Sequence, residues 1–164
     1  MDNFASLGIS EGAQLPYNLE AEQSVIGALL LDGSCISRVM EYLTPECFFR
    51  RQHAQLFSIM IRMFTTGQSI DFVTVLDAAI REKVFESESD AKIYLAQVMQ
   101  LVPTSANVEA YAKIVREKYY VRSLILAAKG IMDDSQDASN EASELLDLAE
   151  QRIFDIRKGR DSTG

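Results

Sequence analysis

An all-α fold, a compact helical bundle followed by a long antiparallel helical hairpin, is what this sequence predicts, on three observations. Between Asn18 and Leu101, apolar residues recur at steps of three and four, the spacing that gathers side chains on one helix face. Pro45, Gly67 and Pro103 fall between these periodic segments, where helices stop and start. After Pro103 the pattern runs from Ala106 to Asp133 with no proline and with Gly130 near its end, and a second long pattern follows a polar turn.

The opening MDNFASLGISEGAQL carries no sustained period and reads as a loosely ordered arm over residues 1–15. Asn18 is a helix cap, and Ala21, Val25, Ile26, Leu29 and Leu30 form the first helix up to Asp32-Gly33. Ser34 is expected to cap a second helix whose face is Ile36, Val39, Met40 and Leu43. Thr44-Pro45 starts a short helical turn, because a first-turn proline lacks only a donor that has no partner there anyway. Leu56, Phe57, Met60, Ile61 and Phe64 predict a helix from about Arg51 to Thr65, closed by a left-handed Gly67. Asp71 caps the next helix, which carries Phe72, Val75, Leu76, Ala79 and Ile80; its β-branched Val73-Thr74-Val75 leave a short strand as the alternative. Ile93, Tyr94, Val98 and Leu101 mark a helix over about 90–101, ended by Pro103.

The polar stretch Asp133–Asn140 turns the chain, and Ala142, Leu146, Ala149, Ile153 and Ile156 then alternate at steps of four and three, the spacing of an antiparallel seam. The two arms differ in charge. Lys113, Arg116, Lys118, Arg122 and Lys129 lie on the first, and Glu141, Glu144, Asp147, Glu150 and Asp155 on the second, so they are expected to complement one another. The first arm carries more apolar surface than one neighbouring helix can cover: Tyr119 to Ala128 is apolar on nearly all sides. Leaving several such side chains in water forgoes several kcal/mol at about 25 cal/mol per Å². A second protein surface is the natural cover; the alternative is that the surplus packs back on the chain's own bundle. Residues 16–104 are thus the expected bundle, 105–157 the hairpin, and the polar 158–164 the start of a linker.

With 48% hydrophobic residues, the chain can bury a core without disulfides. Cys35 and Cys47 are too few for a disulfide framework and, with His53, too few for a zinc site. No run approaches the roughly 20 apolar residues of a membrane span. These features fit a soluble, cytoplasmic protein. A net charge of −8 disfavours whole-surface binding to nucleic-acid phosphates; a helical module gripping nucleic acid through the basic arm alone is the competing reading. No phosphate-binding glycine loop occurs, and Lys129-Gly130 sits within a helix. We expect no catalytic residue, cofactor or metal. His53 lacks an evident base or metal partner in sequence and reads as a partly buried structural residue, while Glu20, Glu22 and Asp32 read as solvated acids near helix ends. A hydrolytic site would require Glu22, Asp32 and His53 to line one polar pocket.

The segment Pro16-Tyr17-Asn18-Leu19-Glu20-Ala21-Glu22-Gln23-Ser24-Val25-Ile26-Gly27 closely resembles the opening of the amino-terminal domain of DnaB-type bacterial replicative helicases. Leu43–Phe49, Ile70–Thr74, Val102–Ala112 and Leu145–Glu150 resemble later family segments in the right order, so the likeness covers residues 16–157. Tyr17 stands where the family commonly has His, and Glu86-Ser87-Glu88-Ser89 replaces a glycine-bearing turn. The resemblance implies a ring-shaped hexamer with a collar of amino-terminal domains paired through their hairpins, a collar that recruits primase, and a helicase loader as a further partner. It also implies an ATPase domain after Gly164, to which ATP and magnesium belong. Tyr119, Leu124, Ile125, Ile131, Leu145, Leu148 and Ile153 are the partner-binding candidates, with Ile125, Ile131 and Leu145 flanking the hairpin tip.

Overall fold

The computed structural model describes residues 15–137 and 139–163, so the arm expected over 1–15 lies almost wholly outside the described residues. Seven α-helices are present among them and no strand: α1 (Leu19–Leu31), α2 (Ile36–Val39), α3 (Arg51–Thr65), α4 (Phe72–Arg81), α5 (Glu88–Gln100), α6 (Val108–Ser135) and α7 (Ala142–Thr163). The strand alternative at Val73–Val75 is thereby removed. Two compact units result, one from Asn18–Tyr119 and one centred on Tyr120–Ser162.

Helix α1 begins where Asn18 Oδ1 accepts from Ala21 N–H at 2.9 Å, a cap worth about 1 kcal/mol. From Ser24 to Leu30 every residue is buried, so α1 is the central helix of its unit. Gly27 lets α1 approach α5, since a Cβ there would meet the Val98 carbonyl oxygen at 2.2 Å. Around α1 the core takes Ile36, Val39 and Leu43 from α2 and the turn after it, Leu56, Phe57 and Met60 from α3, and Val75 and Ala79 from α4.

Caps explain most boundaries. Asp32, not Ser34, is the cap after α1: its side chain accepts from Ser34 N–H at 3.1 Å and from Ser34 Oγ at 2.6 Å, and a 3₁₀ turn over Gly33–Cys35 precedes α2. Helix α3 ends as expected at Gly67, φ +76°, with Gln68 N–H on the Met63 carbonyl and Gly67 N–H on that of Phe64. Helix α4 starts with a reciprocal pair, Asp71 Oδ1 accepting from Thr74 N–H and Thr74 Oγ1 from Asp71 N–H. It ends in the same left-handed cap as α3, but the residue there is Lys83, φ +55°.

Helix α5 buries Ala91, Leu95 and Val98, whereas Ile93 and Leu101, expected on its inner face, are exposed. The first three turns of α6 belong to the bundle: Val108, Ala112 and Val115 are buried in its core, with Tyr111 and Tyr119 packed against it. Residues 108–119, assigned to the hairpin from sequence, thus serve the bundle. Helix α7 continues to Thr163, through residues expected as linker. Arg157, Lys158 and Arg160 are good helix formers and favour the negative end of the helix dipole.

Candidate partner-docking surface

The hairpin formed by the later turns of α6 and by α7 buries little. Arg122 and Ala127 are the buried residues described between Tyr120 and Arg160. Arg122 donates from Nη1 to the Pro16 carbonyl at 2.9 Å, tying the segment before α1 to α6. The seam keeps Ala149 and Ile156 of the sequence expectation but takes Leu145 in place of Leu146 and does not include Ile153. Leu145, Ala149 and Ile156 are half-buried, while Leu146 and Ile153 face outward. Between Ala149 and Ile156, Arg152 lies across Gly130, where a Cβ would meet its Nη1 at 2.5 Å. Its guanidinium reaches Asp134, with Nε and Nη2 at 3.2 and 3.1 Å from Oδ2. This ion pair runs opposite to the expected complementarity, with the base on α7 and the acid on α6. In the connecting turn, Asp137 Oδ1 accepts from the Ser139 N–H and Oγ, holding its carboxyl below the usual range.

The outward faces carry Val121, Leu124 and Leu126 on α6, and Leu146, Leu148, Ile153 and Phe154 on α7, exposed from 39% at Ile153 to 64% at Leu146. Of the partner-binding candidates, Leu124, Leu148 and Ile153 belong to this surface; Ile125, Ile131 and Leu145 are half-buried. Tyr119 instead packs against the bundle core. The basic arm is no open stripe: Lys113 and Arg116 lie over the Tyr42 ring, and Arg122 is buried.

A buried polar network that the sequence reading missed crosses the bundle. Glu22, expected in solvent, and His53, expected to lack a partner, are both fully enclosed and joined at 2.8 Å between Oε1 and Nδ1. Glu22 also accepts from the backbone N–H of Phe49 at 2.7 Å and of Arg50 at 3.2 Å. His53 Nε2 bonds the Tyr94 hydroxyl, which accepts from Gln23 Nε2 at 3.2 Å. In the neutral ring, Nδ1–H donates to the carboxylate and Nε2 accepts from Tyr94, so every member is satisfied. Burial raises the Tyr94 phenol above its ordinary value. The network fastens α1, the entry to α3 and α5 to one another.

Asp32 stands apart from this network, its Oδ2 accepting from Ser105 Oγ at 3.2 Å. The hydrogen bonds from Ser34 hold its carboxyl below the ordinary value. Glu22, Asp32 and His53 therefore do not assemble a hydrolytic site. An open groove of about 920 Å³ borders the buried network at Arg50 and Tyr94 and is lined by Ile80, Lys83, Phe85 and Ile93 among others. Cys35 and Cys47 are buried free thiols, Cys35 pushed up to about 11 by burial. Among the described residues, no group of three or more His, Cys, Asp or Glu side chains is disposed to hold a metal ion. No described helix is long and apolar enough to cross a membrane.

Residues 14–117 match the family model of the DnaB-like helicase N terminal domain. The replicative DNA helicase DnaB of Geobacillus stearothermophilus is 37% identical over 147 residues, 90% of this chain and 32% of that protein. The replicative DNA helicase DnaC of Bacillus subtilis (strain 168) is 35% identical over 148 residues, with the same coverage. The crystal structure of the N-terminal domain of DnaB helicase from Mycobacterium tuberculosis aligns with a TM-score of 0.80 at 33% identity, covering 87% of this chain and 99% of that one. This chain spans about a third of the length of the two curated relatives. Family model, relatives and shared fold together establish that the chain belongs to the DnaB-like helicase N-terminal domain family.

Proposed function

We propose that this chain is the oligomerisation and primase-docking domain of a replicative DNA helicase and carries no catalytic step itself. Unwinding of DNA, with ATP and magnesium, would belong to a domain following this one in the full-length protein. The observation that carries the reading is the outward apolar surface of Val121, Leu124, Leu126, Leu146 and Phe154 on a hairpin that buries few side chains of its own. Such a surface gains from a partner helix, as in the packing of an amphipathic helix into an apolar groove. Self-association uses part of it, and primase docks at the flank formed by Ile125, Ile131, Leu145 and Leu148; a helicase loader is a further partner of the full-length protein. The reading stays with protein partners because the chain carries a net charge of −8.

Leu124→Asp tests the proposal. Leu124 is 52% exposed, so the change should cost well under ~1 kcal/mol of stability. Sedimentation over a range of concentrations should show weakened self-association with an unchanged melting temperature, and Ile125→Asn should weaken capture of primase. Unchanged sedimentation and unchanged primase capture would overturn the reading.

A further inference from the structure

Tyr42 lies half-buried beyond α2, packed against the bundle core. Two cations from α6 share its ring: Lys113 Nζ lies 5.5 Å and Arg116 Cζ 5.0 Å from the centroid. Neither is matched by an acid among the described residues, although the neighbouring Arg38 has Glu109 at 4.0 Å. Arg116 Nε is enclosed without any acceptor. The ring holds both charges in place, but it supplies no carboxylate to offset their mutual repulsion. In a chain with eight more acidic than basic residues, 24 against 16, two such cations side by side form a local site for an anion.

The complementary surface is on the same chain. Glu144, Asp147 and Glu150 are exposed on α7 and form no ion pair with any described residue. We infer that the Tyr42–Lys113–Arg116 cluster receives α7 carboxylates of a second copy of this chain, an inference that rests on the self-association proposed above. A nucleic-acid phosphate is the poorer occupant, because the net charge of the chain repels an extended polyanion that a single carboxylate-bearing helix edge does not match in charge density. Charged contacts of this kind select the partner and its register while the apolar surface supplies the affinity.

A charge exchange between two variants tests the pairing. One variant carries K113E and R116E, the other E144K, D147K and E150K; K113E alone serves as a milder companion, since Lys113 is exposed. Each variant by itself should self-associate roughly tenfold more weakly than the parent chain, and an equimolar mixture should recover parental sedimentation. In a two-fold pair the mixture places opposite charges at both contacts. If K113E and the double variant, each folded by circular dichroism, sediment like the parent, the site is overturned. Weakening without recovery on mixing overturns α7 as its occupant, and a gain in primase or oligonucleotide capture by the parent relative to K113E would identify the other occupant. A parent chain that is monomeric at every concentration would instead defeat the self-association reading itself.

Discussion

The two units of the chain hold themselves together in different ways. In Asn18–Tyr119 the helices send Val25, Ile26, Leu29, Leu56, Phe57, Leu95 and Val115 into one core. The acid enclosed in that core is also answered, since Glu22 meets three donors there. In Tyr120–Ser162 the contact between helices is narrower and partly polar: an arginine crosses a glycine to reach an aspartate, and most large apolar side chains face outward. The first unit has its cooperative stability built in. The second has helices of 28 and 22 residues in all, counting the turns of α6 that serve the bundle, but too little buried area to make the pairing strong. Its surface is therefore the part of the molecule on which a partner has most to contribute.

The contrast is easiest to break at Glu22. Glu22→Ala leaves the His53 ring and the N–H groups of Phe49 and Arg50 without their acceptor, and should cost about 3–5 kcal/mol in denaturant unfolding. A loss below about 1 kcal/mol would mean that the network does not contribute to the bundle as described.

One substitution made in both units sharpens the comparison. Gly27→Ala sets a methyl against the backbone of Val98, which cannot move without shifting α5, so a loss of about 1–3 kcal/mol or more is expected. Gly130→Ala meets only the end of the Arg152 side chain, which can swing away from Asp134. Its cost should stay near zero, because the exposed ion pair lost is worth about 0–1 kcal/mol and alanine favours helix over glycine by a similar amount. Equal losses at the two glycines, measured by thermal melting, would erase the distinction between a rigid and an adaptable interface.

The smallest effect is expected at Lys83. The α3 and α4 caps share one hydrogen-bond pattern, but the left-handed position is glycine in the first and lysine in the second. Lys83→Gly should raise stability by about 0.5–1 kcal/mol, the relief of a side chain in that conformation less the added freedom of the unfolded chain. A loss of stability would show that Lys83 earns its conformation through contacts of its side chain.

Local signals made the helices legible. Asn18, Asp71 and Gly67 stand where their chemistry predicts, because a cap is decided within about four residues. Pairing between distant segments was less so. Leu146 and Ile153 gave α7 a plausible apolar stripe, yet the seam follows Leu145, Ala149, Arg152 and Ile156, since the space for Arg152 is supplied by Gly130 on the other arm. For the buried network a signal was present. Glu22 precedes Val25, Ile26 and Leu29 at helical steps, and His53 precedes Leu56, Phe57 and Met60 in the same way. Each polar residue thus heads a buried face, which foretells burial but not that the two would meet. The boundary at Pro103 misled for a different reason: α6 passes through two environments, and Val108, Ala112, Val115 and Tyr119 form a bundle-facing stripe within what reads as one uniform helix.

A second proton on His53 would reverse the far half of the buried chain of hydrogen bonds without breaking it. Nδ1–H would go on donating to Glu22, while Nε2–H would now donate to the Tyr94 oxygen. The phenol, no longer spending its hydrogen on the ring, could offer it to Gln23, whose amide needs only to turn its oxygen inward in place of the nitrogen it presents now. Two directions of donation thus fit one set of heavy-atom positions, and the difference between them comes down to the orientation of a single half-buried amide.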